Sequence, residues 1–142
     1  MSNIWFDPNT RLEDFAHWGK NTLGDHLGMQ FTKIGDDFLE ATMPVDHRTH
    51  QPYGLLHGGA SVALAETIGS VASALVINHA THMSLGVEIN ANHLRSVRSG
   101  IVTAKCTPIH IGGTIHVWNI LISDSQQRPV CISRLTVMIR KR

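Results

Sequence analysis

Apolar residues along this chain change their period several times, and each change marks an element. Over residues 10–23, Leu12, Phe15, Ala16 and Trp18 fall near one face at helical spacing. Thr10 is placed to cap and Glu13 stands in capping-box position, so the pattern predicts a helix there. Residues 29–34 and 38–44 are short extended runs about Gly35-Asp36-Asp37, the pattern of a hairpin. Residues 45–56 are polar and rich in turn formers, a loop long enough to carry function. The strongest signal follows. Residues 59–77 are Ala-rich, preceded by Gly58, with Leu64, Ile68, Val71 and Leu75 as the larger apolar positions and Glu66 as the one ionisable group. A helix apolar on nearly every side is expected to be buried. Four strand-like runs close the chain, at residues 83–92, 100–109, 114–124 and 130–139. Ser99-Gly100, Gly112-Gly113 and Ser125-Gln126-Gln127 separate them, and such short connections predict antiparallel neighbours. In the third run both alternating sets are apolar: Ile115, Val117 and Leu121 against Trp118, Ile120 and Ile122. A sheet with two apolar faces needs both covered, one by the helix and the other by a second subunit. The order predicts an α+β fold, an antiparallel sheet wrapped around one long hydrophobic helix.

Composition sharpens this. A chain of 142 residues and 15.6 kDa is the size of one domain. Its 42% hydrophobic and 16% charged residues exclude a disordered chain and suggest more buried surface than one monomer's core requires, hence a homo-oligomer. Twelve Lys+Arg against 11 Asp+Glu leave a net charge of +1, too little for a nucleic-acid field, so any anionic ligand needs a local cluster. Two cysteines, Cys106 and Cys131, exclude a disulfide scaffold or Cys-rich zinc site and read as buried thiols. With no signal-peptide pattern at the N-terminus, the expected compartment is a reducing cytoplasm. The apolar helix is barely long enough to span a membrane, and its three Ser, one Thr and central carboxylate argue against lipid. The His47/His50 and His79/His82 pairs lie in turn-like segments without H-E-x-x-H, so no metal is expected. Gly112-Gly113 lies between strands, not before a helix, so no dinucleotide cofactor is expected either. Arg140-Lys141-Arg142 reads as a solvated tail.

Candidate chemistry centres on Glu66. A carboxylate inside a buried helix is costly unless partnered, so it marks a buried ion pair, a place where the helix surfaces, or a functional site. Ser70 lies four residues on, along the same helix face. His57, Gly58 and Gly59 fall where the helix begins, and unpaired N–H groups there suit a developing oxyanion. His93, Arg95 and Arg98 form a basic cluster at a strand end. Arginine's fork suits phosphate, although loop arginines are often simply solvated.

The segment QPYGLLHGGASVALAETIGSVA, residues 51–72, resembles the hot-dog-fold acyl-CoA thioesterases, nearest the arthrobacterial-type 4-hydroxybenzoyl-CoA branch. GVEINANHLRSVRSG (86–100) and HIGGTIHVW (110–118) extend the match. They are similar to the dihydroxynaphthoyl-CoA thioesterases of menaquinone synthesis and their enterobactin-proofreading relatives. The likeness covers about residues 34–138 of a single domain, leaving residues 1–28 as an N-terminal helical extension. Its specificity lies in a glutamine, an HGG and a glutamate at fixed spacing. The resemblance implies Glu66 as nucleophile or general base and the Gly58 N–H polarising the thioester carbonyl, with His57 beside it. It implies that Gln51 orients the acyl group and that Ser70 holds the lytic water. It also implies CoA contacts from Gly86, from His93, Leu94, Arg95 and Ser96, and from His110, Ile111, Gly112, Gly113, Thr114 and Ile115. The other major branch carries an early catalytic Asp, and Asp7, Asp14 and Asp25 do not sit in that motif. No role is implied for Phe15, Trp18 or Leu23, whose place in an acyl pocket stays open; Tyr53 is expected to shape that pocket.

Hydrolysis of an acyl- or aroyl-CoA thioester, or of a carrier-protein thioester, is thus the leading expectation. A hot-dog dehydratase or hydratase would also pair His57 with Glu66, but the F-P-G-H stretch of that group is missing. A non-catalytic acyl-CoA sensor would be expected to carry a DNA-binding extension. The expected assembly is a tetramer built as a dimer of dimers, with His57 and Glu66 of one site drawn from different subunits.

Overall fold

A computed structural model describes residues 3–142. The N-terminal segment departs from the predicted helix. It forms α1 (Leu12–Phe15), a 3-10 turn (Ala16–Gly19) and α2 (Leu23–His26). The helix breaks at Phe15, whose φ −132°, ψ −6° leaves the helical region, and the chain is extended at Lys20 (φ −59°, ψ 129°) and left-handed at Asn21 (φ +62°) before α2 begins. The cap also differs from expectation. Asp14, not Glu13, reaches back to the Arg11 N–H at 2.8 Å, while the Thr10 hydroxyl donates to the Asp7 carbonyl at 2.7 Å. Phe15 anchors the segment, fully buried and edge-on to Phe31 at 5.3 Å.

The hairpin forms as predicted from β1 (Gln30–Ile34) and β2 (Leu39–Val45). On β2 the alternate residues Leu39, Ala41, Met43 and Val45 are buried, the period-2 signature of a strand with one face on the core. After a loop over residues 46–57 comes α3 (Gly58–Val76), then β3 (His82–His93), β4 (Gly100–Ile111), β5 (Ile115–Ser123) and β6 (Pro129–Lys141). All pairings are antiparallel, in the order β1-β2-β4-β5-β6-β3. The short link between β3 and β4 does not make them neighbours. β4 is taken on both sides by β2 and β5, and β3 pairs along β6 instead, leaving its outer edge free.

α3 lies across one face of this sheet, with Leu64, Ala65, Ile68, Ala72 and Leu75 buried. It is not enclosed on every side, as its composition suggested. Val62, Ala63, Glu66, Thr67, Ser70, Val71 and Ala74 are half-exposed along it. The alternation on β5 resolves the two apolar sets. His116, Trp118, Ile120 and Ile122 are buried towards α3, while Ile115, Val117 and Leu121 remain partly open on the far face, beside an exposed Ile132. The C-terminal residues are not a loose tail. β6 runs to Lys141, and the Arg142 backbone N–H and Nε donate to the Thr81 and His79 carbonyls at 3.0 and 2.7 Å. Cys106 and Cys131 are buried and free, and burial pushes both thiols up.

Candidate active site

The start of α3 is built by its cap. His57 is extended at φ −69°, ψ 130°, and its Nδ1 accepts the Gly59 N–H at 2.7 Å. With that bond the imidazole satisfies one first-turn donor. Gly58 N–H has no acceptor among the described residues. It opens into a cleft of about 330 Å³. A Cβ at Gly58 would lie 2.8 Å from His93 Nε2, so the imidazole of β3's last residue covers the helix start only because Gly58 has no side chain.

The same cleft is lined by Gln51, Leu94, Arg95 and Ser96. Backbone bonds hold it together: Leu56 N–H to Val97 O at 2.7 Å, and Leu94 N–H to Val130 O at 2.8 Å. Gln51 is turned back on its own loop, its Oε1 accepting the Tyr53 N–H, which leaves the amide NH2 free to donate. Arg95 and Arg98 are exposed with no acidic partner among the described residues. Tyr53 is 84% exposed. Phe15 belongs to the core, and Trp18 and Leu23 are exposed.

Glu66 stands elsewhere on α3. Its Oε2 is buried without a hydrogen-bond partner, and burial pushes its carboxyl above the ordinary carboxylate range. It has no ion-pair partner among the described residues. Its neighbour across the gap is Gly86 of β3. Ser70 follows one turn on, half-buried. From Gly58 to Glu66 is eight residues, ~12 Å at ~1.5 Å of rise each. One chain therefore cannot bring both groups to a single carbonyl carbon.

The third group of expected contacts lies at the far end of the helix. Ile111, Gly112 and Gly113 line a separate cleft of about 280 Å³ with Val76, Asn78, Thr81 and His82. Thus within one chain His93, Leu94, Arg95 and Ser96 gather at the helix start, and His110 to Ile115 at its end. Sequence reasoning overlooked His116, which also lines that far cleft. It is 1% exposed, and its Nδ1 lies 2.9 Å from Ser73 Oγ, which accepts the Trp118 Nε1–H at 2.7 Å. The indole can only donate, so the Ser73 hydroxyl accepts from Trp118 and keeps its own proton and a second lone pair for its bond with His116. The sign was available: His116 shares the parity of Trp118, Ile120 and Ile122 and so was due to be a buried polar residue.

The model of the thioesterase superfamily matches residues 53–131. A 1,4-dihydroxy-2-naphthoyl-CoA hydrolase of Escherichia coli is 52% identical over 128 residues, covering 90% of this chain and 93% of that protein. A proofreading thioesterase of Cronobacter turicensis has the same identity and the same coverage of both chains. The crystal structure of a mutant thioesterase from Pseudomonas aeruginosa superposes with a TM-score of 0.96 at 48% identity, covering 99% of this chain and 100% of that one.

Proposed function

This chain is a thioesterase with the hot-dog fold and belongs to the thioesterase superfamily, and on that premise we propose that it hydrolyses an acyl- or aroyl-CoA thioester through Glu66. The observation that carries the reading is the buried, partnerless Glu66 Oε2 halfway along α3. A carboxylate held that way without an ion pair contributes poorly to stability and is suited to taking a proton or attacking a carbonyl. In the proposed reaction the thioester oxygen accepts the Gly58 N–H at the helix start, where the dipole favours developing negative charge. Gln51 donates from its free amide. Glu66 either takes a proton from water as that water attacks, or attacks itself to give an anhydride that water then opens. Both routes expel CoA as a thiolate that picks up a proton, and both release a free acid.

The ~12 Å between Gly58 and Glu66 leads us to assign them, in any one site, to different protomers. Two open surfaces support this: the half-exposed residues around Glu66, and the free edge of β3 with Leu85 and Val87 exposed. The apolar far face of the sheet, with Ile101 and Ile132 exposed, suits a second contact that makes a tetramer. CoA would then follow the basic cluster at Arg95 and reach residues 110–115 across the assembly. The relative that acts on 1,4-dihydroxy-2-naphthoyl-CoA favours an aromatic acyl group. A panel of naphthoyl-, benzoyl-, phenylacetyl- and straight-chain acyl-CoAs, with carrier-protein thioesters beside them, tests this by kcat/KM. The aromatic CoA thioesters should lead. A chain that cleaves none of the panel is not the hydrolase proposed.

A further inference from the structure

On a regular strand successive side chains alternate faces. Ser84 and Gly86 lie opposite Ile139 and Val137, both buried, and so face α3. Unbroken alternation would bring Glu88, Asn90 and Asn92 to the same face. The pairing instead steps from Gly86↔Val137 to Glu88↔Thr136, which leaves Val87 as an extra, bulged residue. Beyond it the parity is reversed. Ile89, Ala91 and His93 lie opposite the buried Leu135, Ser133 and Cys131 and face the helix. One inserted residue thus turns a carboxylate and two amides outward and places His93 at Gly58.

Gly86 is the last helix-facing residue before that bulge. Its φ is not positive, so its backbone does not demand glycine. What excludes a side chain is the carboxylate opposite: a Cβ on Gly86 would lie 2.8 Å from Glu66 Oε2 and 3.6 Å from Cδ. No backbone atom stands among those neighbours. We propose that Gly86, set in place by the Val87 bulge, is a positioning residue for Glu66, its missing side chain being the space in which the carboxylate is held. This rests on Glu66 being the reacting group. A methyl group there turns the carboxylate out towards solvent, because the far end of a flexible side chain yields more readily than a paired strand. The rise in the Glu66 pKa that burial causes is then lost in part.

The experiment compares wild type with Gly86→Ala, Glu66→Gln, Glu66→Asp and the Gly86→Ala/Glu66→Asp double variant, on the fastest substrate of the thioester panel. Gly86→Ala is expected to keep its melting temperature and KM within about twofold and to lose ~10- to 100-fold in kcat, the scale of a catalytic group displaced by about an ångström. The Glu66 carboxyl, followed by carbon-13 NMR titration of the free enzyme, should titrate at lower pH in Gly86→Ala than in wild type. In the Glu66→Asp background, where the carboxylate is one methylene further back, the same alanine should cost less than about threefold, which is the non-additivity expected of residues in contact. A raised KM with unchanged kcat and unchanged titration would make Gly86 a nucleotide contact only and overturn the proposal. So would full additivity with Glu66→Asp. Normal turnover in Glu66→Gln would instead overturn the role of Glu66 itself, a failure the titration distinguishes.

Discussion

Replacing Glu66 by glutamine separates catalysis from stability in a single variant, because the two are expected to move in opposite directions. Glutamine keeps the length and planar end of the side chain and removes the charge and the proton affinity. Both routes of hydrolysis need one of those, so kcat should fall by ~10²- to 10⁴-fold, or about 2.7–5.5 kcal/mol of activation free energy. Stability responds to the environment of Oε2, which is buried with no hydrogen bond. Burial raises the folded-state pKa above its ordinary 4.5. A group shifted this way contributes stability that is complete below the unfolded pKa and is lost as pH rises through the folded one. Above the folded-state pKa that stability is gone, and the ionised carboxylate is a net cost. Leaving a buried polar group unpaired costs ~1–3 kcal/mol. The glutamine amide is unpaired too, but neutral, and the carboxylate is only partly enclosed, so the net gain should be near the low end, about 1 kcal/mol. For a chain of this size that raises Tm by roughly 3–4 °C where the carboxylate is ionised, with the gap closing as the pH falls towards 4. Steady-state turnover and thermal melts on one preparation give both numbers. A variant with normal turnover on a substrate that the wild type cleaves, or an inactive one that melts well below wild type at pH 7, would refute the reasoning, the latter because it means that Glu66 holds the fold together.

Arg95→Ala should raise KM by at most ~10- to 100-fold and leave kcat nearly alone, since a phosphate contact remote from the carbonyl binds ground and transition states alike; a loss in kcat would move Arg95 to the reaction centre. Light scattering at micromolar concentration should give an assembly of four chains, and a stable monomer would defeat the shared site. His116 is held neutral by burial and by neighbouring His110, which lower its pKa below 6.5. The stability this neutral ring contributes is present above pH 6.5 and falls away below it, as the unfolded chain takes up a proton that the folded chain resists. Thermal melts from pH 7.5 to 5 should therefore decline more steeply for wild type than for His116→Gln, and equal slopes would show that His116 does not titrate against folding.

Much of this protein was legible in local pattern. The hairpin about Gly35, the long helix over α3 and the four late strands follow from period and turn residues, which need no partner to be read. The parity of Trp118, Ile120 and Ile122 on β5 is equally local, and it already implied a buried His116. The HGG and Glu66 could be singled out because glycines at a helix start and a carboxylate inside an apolar run conflict with simple packing. Other features depend on residues distant in sequence. Whether β3 pairs with β4 or β6 is decided by which strand edges are already occupied, and the link between β3 and β4 carries no such information. The Val87 bulge exists only as a mismatch with β6, so the faces shown by Gly86 and His93 could not be read from β3 alone. The N-terminal helix broke at Phe15 and again at Lys20 because the backbone left the helical region there, a choice that helix-like spacing does not reveal. The eight residues between Gly58 and Glu66 were countable from the start. Turning that count into ~12 Å, the basis for the proposed sharing of a site between protomers, required the unbroken helix that the structure has over Gly58–Val76.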